Sequence, residues 1–203
     1  MICAEIDALK HLNHHSNIAR LLQFDEIGNN IFIVQEYCSR GNLDSYIEKI
    51  LYENEINHHH EKNRLLSIGD VVRIFTDLVE CLTFVQEYCG IYHGAIKPAN
   101  ILFDHNNQIK LIGFCPTYLF GQNNRQKSEN LIKLQYTEYD VYQPPECWSS
   151  SSSSNIKRYR IYLPTLDVWS CGILLYEMLT NSKPFTIGTL MENSTIFKQI
   201  KVI

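Results

Sequence analysis

An α+β fold is what this sequence predicts, from three patterns that follow one another along the chain. Leu21 to Phe24 and Ile31 to Glu36 are strand-like runs on either side of Gly28-Asn29-Asn30, a turn sequence. Val71, Ile74, Phe75, Leu78, Cys81, Leu82 and Val85 recur at three- and four-residue spacing, which is one face of a long helix. Asn100 to Phe103 and Gln108 to Leu111 form a second strand pair, a short hairpin around Asn106-Asn107.

The remaining elements fall between these. Ile2, Ile6, Leu9 and Leu12 place a helix over residues 1–13, and Asn42 to Asn54 reads as another. Asn57 to Asn63, which includes His58-His59-His60, is a polar loop. Adjacent histidines do not share a helix face, so this run is not read as a metal site. Ser67 and Asp70 make a capping pair for the long helix, and Gly90 closes it. Six serines from Ser149 to Ser154, followed by Lys157-Arg158-Tyr159-Arg160, predict a disordered surface insertion over residues 149–160. A helix running to Leu179 follows, then one from Ser194 to Ile200.

Bulk properties narrow the function classes. A chain of 203 residues can bury one large core, and a net charge of −4 gives no case for nucleic acid or an anionic membrane surface. The longest apolar run is too short to cross a bilayer. The seven cysteines are an odd number with no Cys-x-x-Cys pair, which predicts reduced, buried thiols in an intracellular, cytoplasmic protein.

Chemistry concentrates at Ile91 to Asn100, Ile-Tyr-His-Gly-Ala-Ile-Lys-Pro-Ala-Asn. This stretch resembles the catalytic loop of the Ser/Thr protein kinases, His-Arg-Asp-Leu-Lys-Pro-x-Asn. His93, Lys97, Pro98 and Asn100 match; Gly94 stands at the arginine and Ala95 at the catalytic aspartate. Other motifs resemble the same family in the same order. Glu5 to Lys10 is similar to its regulatory helix C, and Ile33 to Cys38 to its hinge strand, with Gln35 at the gatekeeper position. Gly113-Phe114-Cys115 stands where the family has Asp-Phe-Gly. Tyr142 to Glu146 resembles the Ala-Pro-Glu motif, and Asp167 to Leu174 the start of the central helix.

The resemblance implies a bilobal kinase-like fold in two parts. Residues 1–38 would be an incomplete N-lobe of helix C and two strands. Residues 39–203 would be a mostly helical C-lobe without its last helices, with an activation segment at 113–146. Neither a glycine-rich loop nor a Val-Ala-Ile-Lys lysine occurs in the sequence, so the expectation is either a piece of a larger domain or an N-lobe completed by a partner. The resemblance also assigns roles. Lys97 and Asn100 would contact a nucleotide, with Asn100 as a weak metal ligand. Leu102 would floor the adenine, and Glu36 and Cys38 would line it at the hinge. Glu5, Leu9, Leu21, His93, Phe114, Glu146 and Asp167 would be structural. No catalytic group is intact, because a methyl at Ala95 accepts no proton and Gly113 offers no carboxylate to a metal. The expected function is a catalytically inactive pseudokinase module that engages protein partners and requires no cofactor, with ATP and Mg²⁺ as the ligands to test. The alternatives are a Ser/Thr kinase active in a longer form and a truncated product without activity.

Overall fold

The computed structural model describes residues 2–56, 66–114, 141–144 and 163–185. The His58-His59-His60 loop, most of the 113–146 segment including Glu146, the insertion at 149–160 and the expected helix at Ser194 to Ile200 lie outside the described residues.

Helix α1 (Ile2–Leu12) leads into a ribbon of β1 (Leu21–Ile27) and β2 (Asn30–Gln35). Ile6, Leu9 and Leu12 bury the α1 face that the spacing selects. The ribbon is antiparallel, with Ile27 paired to Asn30 across a two-residue turn. Gly28 takes φ +62° there, the left-handed conformation that a tight hairpin turn requires. Strand β1 runs three residues beyond the expected Phe24, and Asn30 belongs to β2 rather than to the turn. Asp25 and Glu26 sit on a solvent-exposed ribbon, so backbone pairing alone extends the strand and no apolar alternation announces it.

Helix α2 (Leu43–Ile56) precedes α3 (Ile68–Glu87). At the start of α3, Asp70 N–H donates to Ser67 Oγ at 3.0 Å and the Ser67 hydroxyl donates to Asp70 Oδ2 at 2.7 Å. Helix α3 buries Val71, Ile74, Leu78, Cys81, Leu82 and Val85. Each large apolar side chain in such a row stabilises by roughly 1.5–3 kcal/mol, and Leu78→Ala would remove about 2–5 kcal/mol. Phe75, expected on the same face, is only partly buried. Gly90, at φ +64°, turns the chain out of the helix; its N–H donates to Gln86 O at 3.2 Å.

A 3-10 turn (Pro98–Asn100) opens the hairpin of β3 (Ile101–Phe103) and β4 (Ile109–Leu111). Asp104 Oδ1 closes its loop by accepting N–H bonds from Asn106 at 2.8 Å and Gln108 at 2.9 Å. Helix α4 (Leu163–Thr180) begins four residues before the expected Asp167. It is apolar around most of its circumference. Leu166, Ile173, Leu174 and Met178 join the core, while Val168, Tyr176 and Leu179 remain exposed. Residues 141–144 lie against it: Trp169 Nε1–H donates to Val141 O at 3.1 Å, the Ser170 hydroxyl to Tyr142 O at 2.7 Å, and the Tyr142 hydroxyl to Glu177. Helix, ribbon and hairpin segregate along the chain, an α+β architecture with two small antiparallel sheets.

The ribbon is tied to the rest by the segment between α1 and β1. Asn17 Nδ2 donates to Ile109 O at 3.2 Å, Leu111 N–H to Asn17 O at 2.7 Å, and Ala19 N–H to Leu111 O at 3.0 Å. His15 packs on Phe84 of α3, with ring centroids 4.7 Å apart.

Candidate functional site

The loop from His93 to Asn100 is held by a carboxylate from a distant part of the chain. Asp167 Oδ2 accepts the His93 N–H at 3.0 Å and Oδ1 accepts the Gly94 N–H at 2.7 Å. Gln86 of α3 donates to Oδ2 at 3.1 Å. Asp167 is 1% exposed; burial pushes its pKa up, against these three donors, which pull it down. Gly94, at φ +71°, can present its N–H between these bonds without the steric cost that a Cβ would bring.

The His93 ring is fully buried and its tautomer is fixed by its neighbours. A carbonyl can only accept, so Nε2 carries the proton and donates to Ile112 O at 3.0 Å, while Nδ1 accepts the Ala95 N–H at 3.2 Å. Burial pulls the His93 pKa down to about 4, so the ring is neutral near pH 7. Phe114 lies 4.5 Å away, centroid to centroid, and is itself buried. Leu9 belongs to the same buried cluster, and the half-buried Leu21 packs against it. Glu5 is half-buried on α1, where burial pushes its carboxyl pKa up.

Asn100 faces the other end of the loop. Its Nδ2 donates to Ala95 O at 2.7 Å. A Cβ built on Gly113, at φ +76°, would lie 3.1 Å from the Asn100 amide atoms. The structure therefore brings Ala95, Asn100 and Gly113 together. Asn100 contributes one neutral amide oxygen, and positions 95 and 113 contribute no side-chain oxygen. Mg²⁺ prefers hard anionic oxygens in near-octahedral array, so this donor set does not fit it. Lys97 is half-buried on the same loop, within electrostatic reach of Asp44 at the start of α2. Leu102 is half-buried, with Ile101 and Phe103 pointing the opposite way into the core.

Just past β2, at the expected hinge, the Glu36 side chain turns to a cation that sequence reasoning did not single out. Lys110 Nζ sits 3.1 Å from Glu36 Oε1 and 3.4 Å from Oε2, and Arg20 Nε is 3.6 Å from Oε2. Burial alone would push the Glu36 pKa up, but the Lys110 and Arg20 bonds and charges hold it below the usual carboxylate value. Cys38 is buried, its thiol pKa raised by burial, with Sγ 3.8 Å from Glu36 O. Lys110 did leave a signal in the sequence: a lysine between Ile109 and Leu111 on a buried strand requires a partner. Gln86 and Asn17 left none, because their roles depend on contacts across 81 and 92 residues.

A buried helical scaffold that pins such a loop, a hinge strand and a hairpin ending at Gly113-Phe114 define a kinase-type domain. The protein kinase domain family model matches residues 1–203, and the chain belongs to that family. Among its relatives, the serine/threonine-protein kinase TOS3 of Saccharomyces cerevisiae is 27% identical over 193 residues, 93% of this chain and 32% of that protein. A putative serine/threonine-protein kinase A of Trypanosoma brucei brucei is 29% identical over 187 residues, 92% of this chain and 38% of that protein. The hormonally up-regulated neu tumor-associated kinase homolog of Xenopus tropicalis is 32% identical over 180 residues, 88% of this chain and 22% of that protein. The chain thus spans about a third of the length of the first of these relatives. Among the described residues, no helix is long and apolar enough to cross a membrane.

Proposed function

We propose that this chain is a catalytically silent kinase-like domain, a binding or allosteric module for protein partners inside the cell. One observation carries the reading. Asn100 Nδ2 donates to Ala95 O and its amide abuts Gly113, so the three positions that the family resemblance assigns to the base and the metal ligands gather one neutral oxygen and no carboxylate. Loss of a general base alone removes typically 10²–10⁴-fold in rate, and loss of the metal ligand compounds it, though not additively. The scaffold around that place keeps its contacts. The domain requires no cofactor in this reading. A nucleotide, if it enters, meets Lys97, Leu102 and the hinge at Glu36 and Cys38.

The names of the relatives favour a second reading, a Ser/Thr kinase that is active in a longer form and transfers phosphate from ATP to protein hydroxyls. It needs a carboxylate supplied from somewhere other than positions 95 and 113. Phosphotransfer to a generic protein substrate, measured beside a thermal-shift titration with ATP and with or without Mg²⁺ or Mn²⁺, separates the two. The silent module gives no transfer and no metal-dependent shift. A metal-dependent rise in melting temperature together with transfer would establish the second reading.

A further inference from the structure

His15 stands in the segment that ties the ribbon to the hairpin, and its ring serves that tie as an acceptor. The residue closes the turn after α1: its N–H donates to Leu12 O and its carbonyl accepts the Ile18 N–H, both at 3.2 Å. Its Nδ1 accepts the Asn17 N–H at 3.2 Å. An accepting ring nitrogen carries no proton, so the neutral ring holds its proton on Nε2. Asn17 is the node of the tie, buried at 9% exposure. Its carbonyl accepts the Leu111 N–H at 2.7 Å and the Cys81 thiol at 3.8 Å. Its Nδ2 donates to Ile109 O at 3.2 Å, and its Oδ1 accepts the Ser16 hydroxyl at 3.2 Å. The next residue, Ile18, bridges to Leu111. A proton on His15 Nδ1 would turn two N–H groups toward each other and leave the Asn17 N–H unmet in a buried place.

We propose that His15 is an acid-sensitive latch between ribbon and hairpin: neutral, it holds residues 17–19 against β4, and protonated at Nδ1 it releases them in a local opening. The fold already disfavours the charged ring. Burial lowers the His15 pKa from its ordinary 6.5, and Glu80 of α3 works in the opposite direction. A depressed histidine pKa means that the tie is complete above about pH 6.5 and is lost as the pH falls through the folded value. Asp77 and Glu87 lie on the side of α3 that carries Glu80 and Phe84. The other groups nearby are engaged or do not titrate in this range. The Cys81 thiol is pushed up to about 12 by burial. Lys110 of β4 pairs with Glu36, His11 of α1 bonds to Asp7 O, and Tyr88 stacks on Phe84. His14 is exposed. His93 ionises only near pH 4, so an opening above pH 5 is not its own. This inference is independent of the catalytic reading.

Amide hydrogen exchange of the 203-residue chain at pH 7.5 and pH 5, corrected for the intrinsic pH dependence of exchange, tests it. Protection of the Asn17, Ala19 and Leu111 amides should fall by about tenfold or more at pH 5, while amides in the middle of α3 keep theirs. The His15 ring resonances, followed by NMR on the same chain, should titrate with the same midpoint as that loss. His15→Asn places a neutral Oδ1 where Nδ1 stood and should keep the protection at both pH values. His15→Phe keeps a ring on Phe84 without an acceptor and should lose the protection at both. Wild-type protection unchanged at pH 5, or a ring that titrates with no change at these amides, would overturn the proposal without recourse to a variant. So would His15→Asn opening at pH 5 as the wild type does, since another group would then be responsible.

Discussion

The two ends of the loop from His93 to Asn100 are built on different terms. At the first end, two backbone N–H groups and a buried imidazole are all satisfied, by Asp167, Ile112 and the loop itself. At the second, a methyl, a glycine and a neutral amide meet, at the place that the proposed reading assigns to the family's carboxylates. The contrast teaches that the parts of such a site that hold shape and the parts that react are separable. The first kind answers to burial, where one unmet polar group is costly. The second holds fewer buried polar bonds, so exchanges there should cost less than at the first.

Breaking the first end should have the largest effect. Asp167→Ala strands the His93 and Gly94 N–H groups and the Gln86 amide, each at about 1–3 kcal/mol. A loss of about 4 kcal/mol should lower the melting temperature by roughly 8–16 °C in a chain of this size. Asp167→Asn keeps one acceptor oxygen and should fall between wild type and Ala. A melt unchanged in Asp167→Ala would remove the basis of the comparison.

Acid should probe the same end. His93 ionises near pH 4 in the folded chain, below its ordinary 6.5, so the fold favours the neutral ring. That contribution is complete above about pH 6.5 and is lost as the pH falls toward 4, on the order of 3 kcal/mol in all. Asp167 has the opposite sign: its raised pKa favours the protonated acid, offsetting part of the loss at the low end of the window. Melting curves from pH 7 to 4.5 should therefore show a decline that begins near pH 6.5. His93→Gln should flatten its upper part.

The smallest effects belong to the second end, and they sharpen the contrast. Gly113→Ala places a Cβ at φ +76° and 3.1 Å from the Asn100 amide, costing about 1–2 kcal/mol. Ala95→Asp adds a carboxylate at a half-buried position and should cost about 1 kcal/mol, well below Asp167→Ala. Equal losses from Ala95→Asp and Asp167→Ala in chemical denaturation would contradict the separation of roles.

Much of this was legible in the sequence, for reasons that differ by element. The α3 face could be read because burial there follows a helical period, and its start because Ser67 and Asp70 satisfy each other over three residues. The Gly28 and Asn107 turns were marked by residue types that tolerate a left-handed backbone. Positions 93, 95, 100 and 113 could be placed through family resemblance. Their geometry could not, because Asn100 meets Gly113 only after the hairpin folds back. The Glu36–Lys110 pair, 74 residues apart, and the full length of β1 stayed hidden, since a distant ion pair and an exposed strand leave no local period.

The bond between Gly94 and Asp167 also has a meaning in time. The two residues stand 73 apart, and a chain made from its N-terminus delivers the loop well before its anchor. Until α4 emerges from the ribosome, the amides at 93 and 94 have only water for acceptors. The loop therefore takes its final shape only once residue 167 has been made, and a pause in translation ahead of that residue would hold it open.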